Sequence, residues 1–354
     1  MALTRRQALT GIAATGFAAA CAPAQDAAPS PADLMPGWRS APDLPIRVQE
    51  IYPAVHDGAL FVAGGLSPDI GGGRIGLSDR VFSLLPGATR WRELPRLPVA
   101  THHPNCVSFG GAVFAIGGFT ARQGGAWSMS DQVRVFDFER NQWRAGPDLP
   151  TPYAETVAAA VGVNLHLVTG RRPAGMTNAN WSDHADSNAH LVLEPGTSVW
   201  RTRAPAPTAR NSAAGAVLGG RLHVIGGRTV SGGNSDAHEV YDAERDGWDR
   251  LAPLPQPEAG PRGAGGLAAA ELGGRLYAFG GEWFDNSGGG VYAQVWAYDP
   301  VADAWQEIGR MPTPRHGLGA VTLQGAIYTI GGAAAAGGNL TSAAVEVLEP
   351  QSLL

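Results

Sequence analysis

"AIYTIGG", residues Ala326–Gly332, is an apolar run that stops on two glycines. The chain repeats the phrase: "LFVAGG" ends at Gly65, "VFAIGG" at Gly118, "LHVIGG" at Gly227 and "LYAFGG" at Gly281. A sixth copy, "LHLVTGR", keeps Gly170 and places Arg171 where the second glycine is expected. A tryptophan opens each unit, at Trp38, Trp91, Trp143, Trp200, Trp248 and Trp305, with spacings of 53, 52, 57, 48 and 57 residues. Two landmarks that stay in phase along the chain define a repeat of about 50 residues.

Alternation and turn residues divide each unit into four short strands. In the last unit these are "GLGAVTL", "AIYTIGG" after the turn "QG", and "AAVEVLE", with the Trp strand before them. Four antiparallel strands repeated around an axis make a propeller. The double glycine, the following "VYD" (Val240–Asp242) or "AYD" (Ala297–Asp299) strand and the tryptophan together resemble the kelch repeat. The resemblance covers Trp38 to about Pro350 and implies an all-β, six-bladed kelch propeller. The orphan strand at Trp38 lacks three strands before it, and the last unit lacks a Trp strand after it. The N-terminal strand is therefore expected to complete the last blade and remove an exposed edge. Paired glycines permit positive φ and let a bulky neighbour, expected to be the tryptophan, pack on the backbone.

Composition agrees with this fold and narrows the function. A hydrophobic fraction of 44% supplies a core, and 49 glycines with 16% charged residues indicate tight turns rather than long helices. Lys and Arg number 26 against 31 Asp and Glu, a net charge of −5 with no basic cluster, so no nucleic-acid partner is expected.

Residues 1–24 read as an export signal, residues 25–37 as an Ala/Pro-rich tether and residues 38–350 as the propeller. Arg5-Arg6 ahead of a weakly apolar segment resembles a twin-arginine signal, with general secretion as the competing route. Cys21 after Ala18-Ala19-Ala20 resembles a lipoprotein box; ordinary cleavage after Ala20 or Ala24 competes with it. The expected location is outside a bacterial cytoplasm, periplasmic or held to a membrane only through a lipid on Cys21. With Cys21 removed or lipidated, Cys106 has no disulfide partner.

Loops on a rigid scaffold carry function. The connections leading into strand one and those after the double glycine share one face. They present Gln49, Glu50, His102, His103, Tyr153, Glu155, Arg210, Asn211, Arg262, Arg315 and His316 from the first group, with His102, Arg210, Asn211, Arg315 and His316 chosen as ligand candidates, and Arg171, Arg172, Arg228, Glu282 and Trp283 from the second. Guanidinium forks, amides and aromatic faces suit a polar or anionic ligand such as a glycan. Arg210 and Arg315 also fit a structural role, bonding loop carbonyls. Arg171 is singled out because it breaks the glycine rule, as functional residues do.

The expected function is an exported, ligand-binding propeller recognising a carbohydrate or another polar metabolite. A second reading is an isomerase similar to the kelch sialic acid mutarotases, in which Glu282 of "FGGE" would be the catalytic carboxylate. The arginine that this resemblance implies a few residues onward is absent from "WFDNSGGG". A third is a protein-interaction module, as in many kelch rings. A copper site like that of galactose oxidases would need tyrosine and histidine ligands with a cysteine–tyrosine link, and no matching set is present. Neither a metal nor a cofactor is expected.

Overall fold

A computed structural model describes residues 37–349 apart from residues 73, 123–126 and 287. The expected export signal with Cys21, and most of the expected tether, lie outside the described residues. The described chain is all β apart from one 3-10 turn at Trp181–Asp183. Its main sheets are six, each of four antiparallel strands. Their innermost strands are Ala54–His56, Asn105–Phe109, Val157–Val161, Ala214–Leu218, Ala268–Leu272 and Gly319–Leu323. Each touches the innermost strand of the next sheet, and Gly319–Leu323 also touches Ala54–His56. Trp38–Ser40 is the outermost strand of the last sheet, with Trp38 opposite Leu348 and Ser40 opposite Glu346.

Apolar side chains fill the space between sheets. One such layer joins Leu60, Val62 and Phe82 of the first sheet to Tyr328, Ile330 and Val347 of the last. The recurring tryptophans work here as staples. The indole N–H of Trp91 donates to the Pro42 carbonyl, Trp143 to Pro95, Trp200 to Pro147, Trp248 to Ala204 and Trp305 to Ala252. Each acceptor lies four residues after the preceding tryptophan, so spacing along the sequence becomes a bond between neighbouring sheets. A ring that buries its body and uses its one N–H suits this task.

The glycines are explained by backbone, which corrects the expectation of a tryptophan neighbour. A Cβ on Gly64 would stand 2.3 Å from the Thr101 carbonyl oxygen, and one on Gly280 2.1 Å from that of Arg315. The second glycine of each pair meets its own unit's lead-in segment, as where a Cβ on Gly118 would lie 2.6 Å from the His102 carbonyl. Conformation also corrects the sixth copy. The second glycines have φ between 91° and 105°, and Gly170 at 99° is one of them; Thr169 at 58° occupies the first position. Thr169, not Arg171, is the residue that departs from the glycine rule. Arg171 is equivalent to Leu66, Phe119, Arg228, Glu282 and Ala333, the residues that follow the pairs.

Candidate functional site

Each unit turns into its innermost strand through a left-handed residue: Glu50 (φ 60°), His103 (57°), Glu155 (54°), Ser212 (50°), Gly266 (65°) and Gly317 (57°). Their backbones form a collar. The amide of His103 donates to the Glu50 carbonyl at 3.0 Å, Ser212 to Glu155 at 3.1 Å, Gly266 to Ser212 at 2.9 Å, Gly317 to Gly266 at 2.8 Å and Glu50 to Gly317 at 2.7 Å. Below it, residues in or just before all six innermost strands, among them Tyr52, Asn105 and Thr156, line a cavity of about 80 Å³.

The collar residues and those after the glycine pairs bring charge together. Arg228 pairs with Glu282 through Nη1, and its Nη2 lies 3.7 Å from Glu155. Glu155 also holds Nε of Arg171 at 2.5 Å. Glu50 lies 2.6 Å from Nε2 of His103, while His316 Nδ1 lies 3.4 Å from Glu282 and 3.9 Å from Glu50. His103 in turn contacts His102, Nδ1 to Nδ1, at 2.7 Å. All of these side chains are buried. Burial by itself would push the Glu50 carboxyl up, but His103, His316 and Arg228 outweigh it and hold Glu50 well below the usual carboxylate range. Burial likewise opposes the charge on Arg228, yet Glu282, Glu155 and Glu50 raise its pKa above the ordinary arginine value. Tyr52, against the axial cavity, is raised first by burial and then by Glu155 and Glu50.

An aromatic wall adjoins this cluster. Arg171 lies 4.5 Å over the Trp181 ring, and His102 stacks on Phe119 at 4.7 Å with Trp127 edge-on at 4.3 Å.

Of the residues named from sequence, His102, Arg171, Arg228, Glu282 and His316 therefore converge. Asn211 is buried nearby and donates to Asp186 at 2.5 Å. Arg210 and Arg315 do not join them. Arg210 is fully buried against Glu239 and the carbonyls of Thr208 and Val224. Arg315 bonds Glu346, Thr329 and the carbonyls of Thr313, Gly331 and Ala344. The Nη donors of both are committed inside their own sheets, so the structural alternative describes both. Arg172 is exposed, and Trp283 packs on Gly260 and Tyr292. Glu50, His103 and Glu155, which the sequence places on the same face without singling them out as ligand residues, join the converging residues. Their signal was a repeat position where Gly266 and Gly317 show that glycine suffices. Among the described residues, no group of three or more His, Cys, Asp or Glu is arranged to hold a metal.

Residues 102–332 match the KLHDC2/KLHL20/DRC7 Kelch-repeats domain. The chain belongs to the kelch-repeat family. It is similar to Kelch-like protein terF of Aspergillus terreus, at 26% identity over 92% of this chain and 71% of that protein. Human Kelch-like protein 34 is 30% identical over 81% of this chain but only 43% of its own length. The solved structure of YjhT shares the fold, with a TM-score of 0.73 and 16% identity over 87% of this chain and 99% of that one. The kelch landmarks thus account for the scaffold, while the charged collar is a feature of particular units within it.

Proposed function

We propose that this kelch protein is an exported, six-bladed propeller, closed by its N-terminal strand, that binds a small carbohydrate or similar polar metabolite at its charged centre. One observation carries the binding reading: buried charge stands where the same chain shows it is not needed for folding. After the glycine pairs, Leu66, Phe119 and Ala333 serve in three units, while Arg171, Arg228 and Glu282 serve in the others. At the collar, Glu50, His103 and Glu155 adopt a conformation that glycine takes without strain. Taking charges from water costs several kcal/mol per ion, on the order of what their attraction returns. Such rule-breaking positions collect at functional sites.

The chemistry of the donors favours hydroxyl-rich ligands. Both guanidiniums already face carboxylates, so the centre offers acceptors and donors in alternation rather than a net positive field. Sugar hydroxyls match that alternation, and Trp127 and Trp181 supply faces for a ring. Calorimetry of the purified protein against neutral hexoses and the corresponding uronic acids tests the reading. Arg228→Gln should weaken binding of whichever sugar binds by tenfold or more; a panel without a binder refutes it.

A second reading is an isomerase acting on a sugar acid such as N-acetylneuraminate. The observation favouring it is that Arg228, from the preceding unit, pairs with Glu282 and so supplies it with a guanidinium where the local sequence has no arginine. With His316 3.4 Å away, the carboxylate has a proton partner for opening a sugar ring. Anomer exchange followed by NMR should then accelerate with wild type and not with Glu282→Gln. Export rests on Arg5-Arg6 and the segment that follows. Retention of the double variant Arg5→Lys/Arg6→Lys in the cytoplasm supports the twin-arginine route, and its normal export rejects it.

A further inference from the structure

Gln49 is fully buried, and neither Nε2 nor Oε1 of its amide has a hydrogen-bond partner. Leaving such a group unpaired costs stability. The fold does not ask for it. Gln49 makes an isolated bridge to Leu66, and at the same position of other units Ala154 bridges Arg171 and Gly265 bridges Glu282 with no polar side chain.

The amide lies beneath the segment that follows the last glycine pair. A Cβ on Gly338 would stand 4.0 Å from Nε2 of Gln49. The amide of Gly337 donates to Oε2 of Glu282 at 2.8 Å, and Nε2 of His316 lies 3.0 Å from the Ala335 carbonyl and 2.8 Å from that of Gly337. On the other side of Glu282, Nε and Nη2 of Arg228 also lack hydrogen-bond partners. The segment itself, "AAAAGGNL" at residues 333–340, is held by few side chains of its own.

We propose that Gln49 is a ligand-recognition residue for sugar hydroxyls, and that residues 335–338 are the cover which the ligand displaces. This rests on the carbohydrate reading given above. A hydroxyl both donates and accepts, so it satisfies Oε1 and Nε2 of Gln49 in turn; a second takes the place of the Gly337 amide on Glu282; Arg228 donates to a third oxygen. In the covered state Oε2 of Glu282 and Nε2 of His316 are satisfied by the segment, while Gln49 waits unpaired for the ligand.

Gln49→Met tests this, because methionine keeps the length of the side chain and removes both polar atoms. Binding is read by calorimetry with the hexose or uronic acid that wild type binds, and stability by thermal melting without sugar. The expected result is a melting temperature unchanged or raised, with affinity lowered by tenfold or more. Equal affinity in Gln49→Met, with affinity lost in Arg228→Gln, overturns the role of Gln49 and leaves the charged centre standing. A lowered melting temperature in the absence of sugar shows an amide that serves the fold, and overturns the proposal as well. Absence of any binder among the sugars removes both readings together.

Discussion

The amide of Gly332 donates to the carbonyl of Val48 at 2.8 Å, bonding the last glycine pair to the first lead-in segment. The same bond runs from Gly65 to Thr101, Gly118 to Tyr153, Gly170 to Arg210, Gly227 to Ala264 and Gly281 to Arg315. Every second glycine thus addresses the next unit, and the last one addresses the first. On the outside, Trp38–Ser40 covers Val345–Leu348, and Trp38 meets Phe279 edge-on at 6.2 Å. Deleting residues 36–44 should leave that strand as an open edge. Calorimetry and light scattering should then show a lower, broader transition with aggregation, and an unchanged transition rejects closure by the N-terminal strand.

Arg315→Ala and Arg210→Ala should each destabilise the fold by about 3–5 kcal/mol, the range for breaking a buried ion pair from one side. Glu346 or Glu239 would be left buried without its main cationic partner, Glu239 keeping only the exposed Arg250 at 3.9 Å. Chemical denaturation measures the loss. A change under about 1 kcal/mol would contradict the structural assignment of these arginines.

The repeat provides its own control for backbone strain. Ser212 has φ 50° where Gly266 and Gly317 stand in the next two units, and its hydroxyl makes only a 3.2 Å contact with the Asn211 side chain. Ser212→Gly should raise stability by up to about 1 kcal/mol, the relief of the left-handed conformation being partly offset by a freer unfolded chain. Gly266→Ala should lower it by about 1–2 kcal/mol, since alanine at φ 65° is strained. Melting temperatures moving together in one direction would refute the argument.

Much of the scaffold was legible because glycine pairs and tryptophans each recur for a local reason that leaves a trace in one residue type. The tryptophan bonds a carbonyl four residues after its predecessor, so its spacing carried the fold. The position of Arg171 was misread because Thr169 adopts a glycine conformation, and only dihedral angles distinguish the first from the second place of the pair. Sequence likewise could not tell Arg315, turned into its own sheet, from the adjacent His316, turned to the axis. Neighbouring residues on extended backbone face opposite ways, and the face each takes depends on register. Glu50, His103 and Glu155 could be placed on the loop-rich face from sequence, but their shared place in the collar shows only when the six lead-in segments are aligned by conformation.

Two buried imidazole pairs set the acid limit of the fold. His166 Nδ1 contacts His190 Nε2 at 2.8 Å, and in the next sheet His223 Nδ1 contacts His238 Nε2 at 2.9 Å. Burial lowers all four, to about 4 for His166 and His223 and about 3 for His190 and His238; in the second member of each pair the first adds to the shift, and Arg203 and Arg221 add to the first. Because these folded-state values lie below the unfolded value of 6.5, the unfolded chain takes up protons that the folded chain refuses as pH falls. Their contribution is complete above about pH 6.5 and is lost progressively toward pH 4, with a ceiling of about 1.4 kcal/mol per pH unit for each histidine. Glu50 acts in a lower window: its depressed carboxyl contributes stability above the ordinary value of 4.5 and loses it below. Unfolding free energy should therefore be level from about pH 8 to 7 and fall between about pH 6.5 and 4.5. In His166→Gln/His223→Gln, which removes one titrating ring from each pair, the fall should be shallower. Denaturation at a series of pH values measures both slopes, and equal slopes in the variant and the wild type would assign the acid sensitivity to other groups.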